Sequence, residues 1–176
     1  MRPDVVYAYV RDLIERMTGT RPEPDHDGDL PVHFHGALFF VRIVGPVNPW
    51  VQVFSVAVAE LDPSPPLMAM LNDINARIHF ARAFHLGGQV IIEAEIWADD
   101  VTQENFLYAC QNVAGATDAF SPAIVKAFGG RPLFEESKTD AYVQGELPLG
   151  PLAGRKDEGR DDDLPPSPHT SISPYL

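Results

Sequence analysis

The chain holds a single cysteine, Cys110, among its 176 residues, which excludes an intramolecular disulfide and a four-cysteine zinc site. Basic residues are scarce: 13 Lys+Arg stand against 25 Asp+Glu, a formal net charge of -12. Split at residue 135, 9 basic and 17 acidic residues precede and 4 and 8 follow, so both parts are acidic. Nucleic-acid binding depends on clustered Lys and Arg against phosphates, and no such cluster exists, so nucleic acid is not expected as a partner. Adhesion to anionic membranes fails on the same count. Long apolar runs are also missing. Ala37–Val44 and Trp50–Leu61 are too short or too interrupted to cross a bilayer. The first residues lack the basic, apolar, small-residue order of a secretory leader. The expectation is a cytoplasmic protein without a cofactor. Its acidity fits basic or amphipathic peptide partners, though a device for solubility is the simpler reading.

What is present is enough for a core: 45% of residues are hydrophobic and 10% aromatic. They concentrate before about residue 135. Val6, Val10, Leu13 and Met17 recur at helical spacing over Asp4–Met17, with Pro3 at the start and Gly19 at the stop. A polar loop, Arg21–Pro31, follows with three prolines and four acids. Val32–Val44 alternates as a strand run that Gly36 divides or bulges, and Trp50–Leu61 is a second long strand. The Pro-rich segment from Asp62 opens a helix whose stripe is Leu67, Leu71, Ile74 and Ile78. Ile78–Leu86 and Val90–Trp97 read as a hairpin about Gly87-Gly88, with Val90, Ile92, Ala94 and Ile96 inward and Glu93 and Glu95 toward water. Thr102 caps a last helix that buries Phe106, Cys110, Val113 and Thr117. Within it, Ser121-Pro122 marks either a kink or the start of a second short helix, and Gly129-Gly130 ends it.

The predicted architecture is α+β, in the order α-β-β-β-α-β-β-α, with a five-stranded, mainly antiparallel sheet packed by helices. Residues 136–176 carry six prolines and the run Asp161-Asp162-Asp163, too little apolar area to offset ordering entropy, and are expected to be a disordered tail after a domain at 1–135.

No side-chain constellation calls for catalysis. His33 and His35 share one strand face and would need His26 or Asp29 to complete a metal site, and two surface histidines on an edge strand is the simpler reading. His79 and His85 share a face of another strand and could sense pH if buried or paired, but are read as partly exposed sheet residues. Glu93 and Glu95 are neighbours that Arg77 or Arg82 can neutralise. Cys110 lies on the core stripe between Phe106 and Val113, a small buried hydrophobe rather than a nucleophile. Phe39, Arg42, Trp50 and Phe54 on the central strands are candidates for contact with an extended peptide, because aromatic anchors beside main-chain hydrogen bonds are how such segments are held.

The strings "GALFFVRIVG", "LNDINARIHFARAFHLGGQVIIEAEIWADD" and "ACQNVAGATDAFSPAIVKAFGG" resemble, in their order and spacing, the YbjN-like and type III secretion chaperone group, over roughly residues 3 to 135. The resemblance implies a non-enzymatic, peptide-binding, chaperone-like protein acting as a homodimer. It places the middle helix at the dimer interface, so Leu67, Met70, Leu71 and Ile74 become candidates for self-association. The acidic tail departs from the secretion chaperones. An interaction scaffold acting through that tail, and a small metal-binding protein or enzyme using His33 and His35, are the other readings.

Overall fold

Val6, Val10, Leu13 and Ile14 fall on one side when the first segment is wound as a helix, and this is α1 (Pro3–Thr18). Pro3 starts it, and Gly19, at φ 74°, ends it by donating its N–H to the Glu15 carbonyl at 2.8 Å. The computed structural model describes residues 1–34 and 37–133. The boundary expected at 135, the tail at 136–176, and His35 and Gly36 lie outside the described residues. After α1 come β1 (Leu30–Phe34), β2 (Ala37–Val44), β3 (Trp50–Ala59), α2 (Pro65–Asn75), β4 (Arg82–Leu86), β5 (Gln89–Trp97) and α3 (Gln103–Phe128). The strands form one sheet in the order β1-β2-β3-β5-β4, antiparallel throughout. The fold is therefore the expected α+β order.

Strand parity divides the residues into two faces. Leu30, Val32, Phe39, Val41, Val51, Val53 and Ala94 join α1 and the first half of α3 in one buried cluster. Ala83, Val90 and Ile92 join α2 and the second half of α3 in another, with Leu67, Leu71, Ile74 and Ile124. All three helices thus bury their stripes on the same side of the sheet. Near its end β3 slips by one residue against β5, between Val56 and Val58. The extra residue, Ala57, lets Ala57, Val58 and Ala59 all be buried.

Thr102 caps α3, its Oγ1 accepting from the Asn105 N–H at 3.1 Å. A single helix runs through Pro122, and no second helix begins there. Ser121 Oγ donates to the Thr117 carbonyl at 2.7 Å in the turn that Pro122 interrupts. The chain then returns to the sheet: Arg131 exchanges two main-chain hydrogen bonds with Ala59, at 2.7 and 2.8 Å. Gly130 sits between, with φ 83°, and a Cβ there would come within 2.8 Å of the Ala59 carbonyl, Val58 and Leu61. The glycine pair is a helix stop followed by a close approach of two backbones.

One strand is shorter than its alternation suggests. β4 begins at Arg82, not Ile78, because α2 ends in a turn that includes Phe80 at φ 58°. His79 therefore lies exposed in that turn and shares no strand face with His85. Asn75, the last residue of α2, explains the boundary. Its side-chain amide donates to the Ala83 carbonyl at 2.8 Å and accepts from the Ala83 N–H at 2.7 Å. It binds the outer side of β4 as a neighbouring strand would.

Candidate functional site: the uncovered sheet face

Residues of the opposite parity form a second surface. Among the described residues no helix packs on it, and none of its side chains belongs to either buried cluster. The pairing register lays it out in rows. Val44, Trp50 and Trp97 form the first row. Arg42, Gln52 and Glu95 form the second; Phe40, Phe54, Glu93 and Arg82 the third. Val56, Ile91 and Phe84 form the fourth. Phe40 and Phe54 stack with ring centroids 5.5 Å apart, and Trp50 meets Trp97 edge-on at 6.2 Å. Trp97 is 60% exposed.

Between the ring pairs runs a polar stripe. Both carboxylate oxygens of Asp29 accept from the Arg42 guanidinium, which also lies over the Phe54 ring at 5.0 Å. Its bond to Asp29 holds the Arg42 guanidinium above its ordinary pKa. Glu93 accepts from Arg82 Nε and from Gln52 Nε2, each at 2.7 Å. It is only 2% exposed, which corrects the expectation that it faces water: its strand parity is as foreseen, but Arg82, Gln52 and the flanking rings close over it. Glu93 holds the Arg82 guanidinium above its ordinary pKa in turn. Glu95 lies 3.4 Å from Arg82, beyond good hydrogen-bond length, with its side chain 41% exposed.

The predicted site residues divide accordingly. Arg42, Trp50 and Phe54 come together on this face. Phe39 does not: it is 0% exposed beneath the helices, one residue out of phase, and Phe40 occupies the place beside Phe54. Phe40 and Trp97 are the residues that sequence reasoning missed. Their signal was the parity shared with Phe54 and Trp50, legible once the pairing register is known. In the stripe expected to serve self-association, Leu67, Leu71 and Ile74 are 0–4% exposed and pack within this chain, and only Met70 is half-buried.

Metal chemistry finds little support in these positions. The oxygens of Asp29 are taken by Arg42, and His33 is exposed on β1. Asp25, His26 and Asp27 cluster in the polar loop, where Asp25 Oδ1 already accepts the N–H groups of Asp27 and Asp29. Cys110 is 0% exposed, and burial pushes its thiol pKa up, away from nucleophilic use. Among the described residues no helix is long and apolar enough to cross a membrane.

Both sheet edges are blunted. Pro31 in β1 lacks an N–H, and Asn75 occupies Ala83 on β4.

A family model described as T3SS (YopN, CesT) and YbjN peptide-binding chaperone 1 matches residues 4–136. The chain belongs to this TY-Chap1 family. Solved structures that share the TY-Chap1 fold include the ExsC–ExsE complex, at 16% identity and TM-score 0.51, covering 65% of this chain and 92% of that one. The HopA1–SchA chaperone–effector complex matches at 9% identity and TM-score 0.50, covering 67% and 94%. YbjN from E. coli matches at 17% identity and TM-score 0.48, covering 69% and 93%. No functionally curated protein matches the chain.

Proposed function

We propose that this protein is a non-enzymatic chaperone that holds an extended segment of a client polypeptide against the uncovered face of its sheet. The observation that carries this reading is the face itself. Two aromatic pairs, Phe40–Phe54 and Trp50–Trp97, remain on a sheet surface whose other side already supplies a complete core. Contiguous apolar surface on a folded domain marks an interaction site, and buried aromatic anchors carry most of the energy of such contacts. The family description as peptide-binding chaperones, and the chaperone–effector complex among the structural relatives, support a polypeptide client. A homodimer and a cytoplasmic location belong to the same reading. Since α2 buries its stripe internally, a second copy would meet other surface, such as Met68 and Met70.

The test compares wild-type protein with a Trp50→Ser/Phe54→Ser variant for binding of short extended apolar peptides by calorimetry, with circular dichroism confirming that both are folded. Loss of binding in the folded variant is expected. Peptide affinity equal to wild type would remove the face from consideration. Light scattering reports the oligomeric state independently.

A further inference from the structure

We infer that the uncovered face selects a segment with apolar side chains at positions i and i+4 and a lysine or arginine at i+2. This rests on the peptide-holding reading above and gives it a sequence rule.

The rule comes from the register. Trp50 pairs with Trp97, Gln52 with Glu95, and Phe54 with Glu93. An extended client laid along the β3–β5 seam advances two residues, about 6.7 Å, per row, so its same-side side chains meet the rows in turn. Position i meets the Trp50–Trp97 pair. Position i+4, about 13 Å on, meets Phe54 and Phe40. Position i+2 falls on Gln52 and Glu95.

Charge decides what belongs at i+2. Five charged side chains lie on the face: Asp29, Glu93 and Glu95 are acidic, Arg42 and Arg82 basic, which leaves one negative charge. Asp29 is held by both arms of Arg42, and Glu93 by Arg82 and Gln52. The remainder therefore sits on Glu95, which makes an ion pair at 3.4 Å but accepts no side-chain hydrogen bond among the described residues. Beyond Trp97, Asp99 is paired with the Met1 ammonium at 2.9 Å, and the exposed Asp100 adds negative potential at that end. A cation at i+2 completes the set, and an acid there is repelled. The first row holds a further vacancy: the Trp50 indole N–H is shielded from solvent and has no acceptor among the described residues. A client backbone carbonyl near position i supplies one once Trp97 shifts aside.

The chain has two tryptophans, and both lie in the first row, so intrinsic fluorescence of the full-length protein reports occupancy. The probes are synthetic peptides with Leu at i and i+4, Ser between, and Lys or Glu at i+2, plus one with the second Leu moved to i+3. The Lys peptide is expected to bind about tenfold tighter than the Glu peptide and than the shifted one. Glu95→Lys should reverse the Lys/Glu order, and Glu95→Gln should abolish it. Equal binding of the Lys and Glu peptides, or an unchanged order in Glu95→Lys, overturns the rule while leaving the face as a general apolar grip. Failure of every peptide to bind, by fluorescence and by calorimetry, overturns the grip and the rule together.

Discussion

Phe39 and Phe40 are neighbours on one strand, chemically identical and about 3.4 Å apart along it, yet they lie on opposite sides of the sheet. Phe39 is sealed under α1 and α3. Phe40 stacks on Phe54 with part of its ring in water. The contrast extends along the sheet. The covered side is filled with Val, Ile and Ala at internal packing, while the other carries aromatic rings and a chain of arginine–carboxylate bonds. Apolar content alone does not distinguish a core from an interface. Rings kept beside satisfied charges, with no helix over them among the described residues, are the surface that the proposed client would cover.

The comparison breaks most easily at its strongest pair. Phe39→Ala should cost about 3–5 kcal/mol of stability, the range for deleting a buried aromatic side chain. Phe40→Ala should cost about 1 kcal/mol, chiefly the lost ring stacking. Urea unfolding of the two variants measures both. Similar losses would mean that the second face is covered in the free protein as fully as the first.

A somewhat smaller effect is expected at Gly130, where the backbone returns against β3. Alanine there combines a left-handed φ with overlap onto the Ala59 carbonyl, Val58 and Leu61, for about 2–4 kcal/mol. Gly129, at φ 78° and ψ -146°, lies in a region open almost only to glycine, but a Cβ there meets nothing within 4 Å, so Gly129→Ala should cost about 1–3 kcal/mol from backbone strain alone. Equal midpoints in thermal unfolding would deny the close approach that separates the two glycines.

Much of this was legible in the sequence because local chemistry agreed with the fold. Thr102 before an apolar helical stripe, Gly87-Gly88 between alternating runs, and Gly19 after α1 each announce a boundary by a conformational requirement. The order of elements followed from these. What did not follow were properties of pairing. Both parities of β2 and β3 are largely apolar: Arg42 and Gln52 mark the side of Phe40, but the buried Ser55 on the other side blurs that signal, so the string indicates only weakly which of Phe39 and Phe40 the helices cover. The burial of Glu93 depends on Arg82 and Gln52, from two other strands. The truncation of β4 depends on Asn75 reaching across to Ala83, a contact with no periodicity to betray it. Likewise Leu67, Leu71 and Ile74 make the same stripe whether they face a partner or their own core.

The polar stripe offers a finer version of the comparison. Glu93→Ala leaves Gln52 and one side of Arg82 without their acceptor, and should cost about 1–2 kcal/mol because Arg82 remains largely in water. Glu95→Ala removes only a long ion pair and should change stability by no more than about 0.5 kcal/mol. Chemical unfolding that ranks them the other way would place the structural carboxylate at 95, and the inferred role of Glu95 toward a client would lose its basis.

The smallest effect is the most telling for how the face stays open. Arg42 is held at one end by Asp29 and lies across the Phe54 ring. Phe54→Leu keeps apolar bulk but loses the ring's attraction for the guanidinium and its stacking on Phe40, for about 1 kcal/mol. A double-mutant cycle of Phe54→Leu with Arg42→Gln separates the two contributions, and a coupling of about 0.5 kcal/mol is expected for the cation–ring contact. With that coupling, Arg42 shields part of Phe54 in the free protein, and a client must share the ring with it. A coupling of zero would mean that Asp29 alone fixes Arg42, leaving the whole ring to whatever binds.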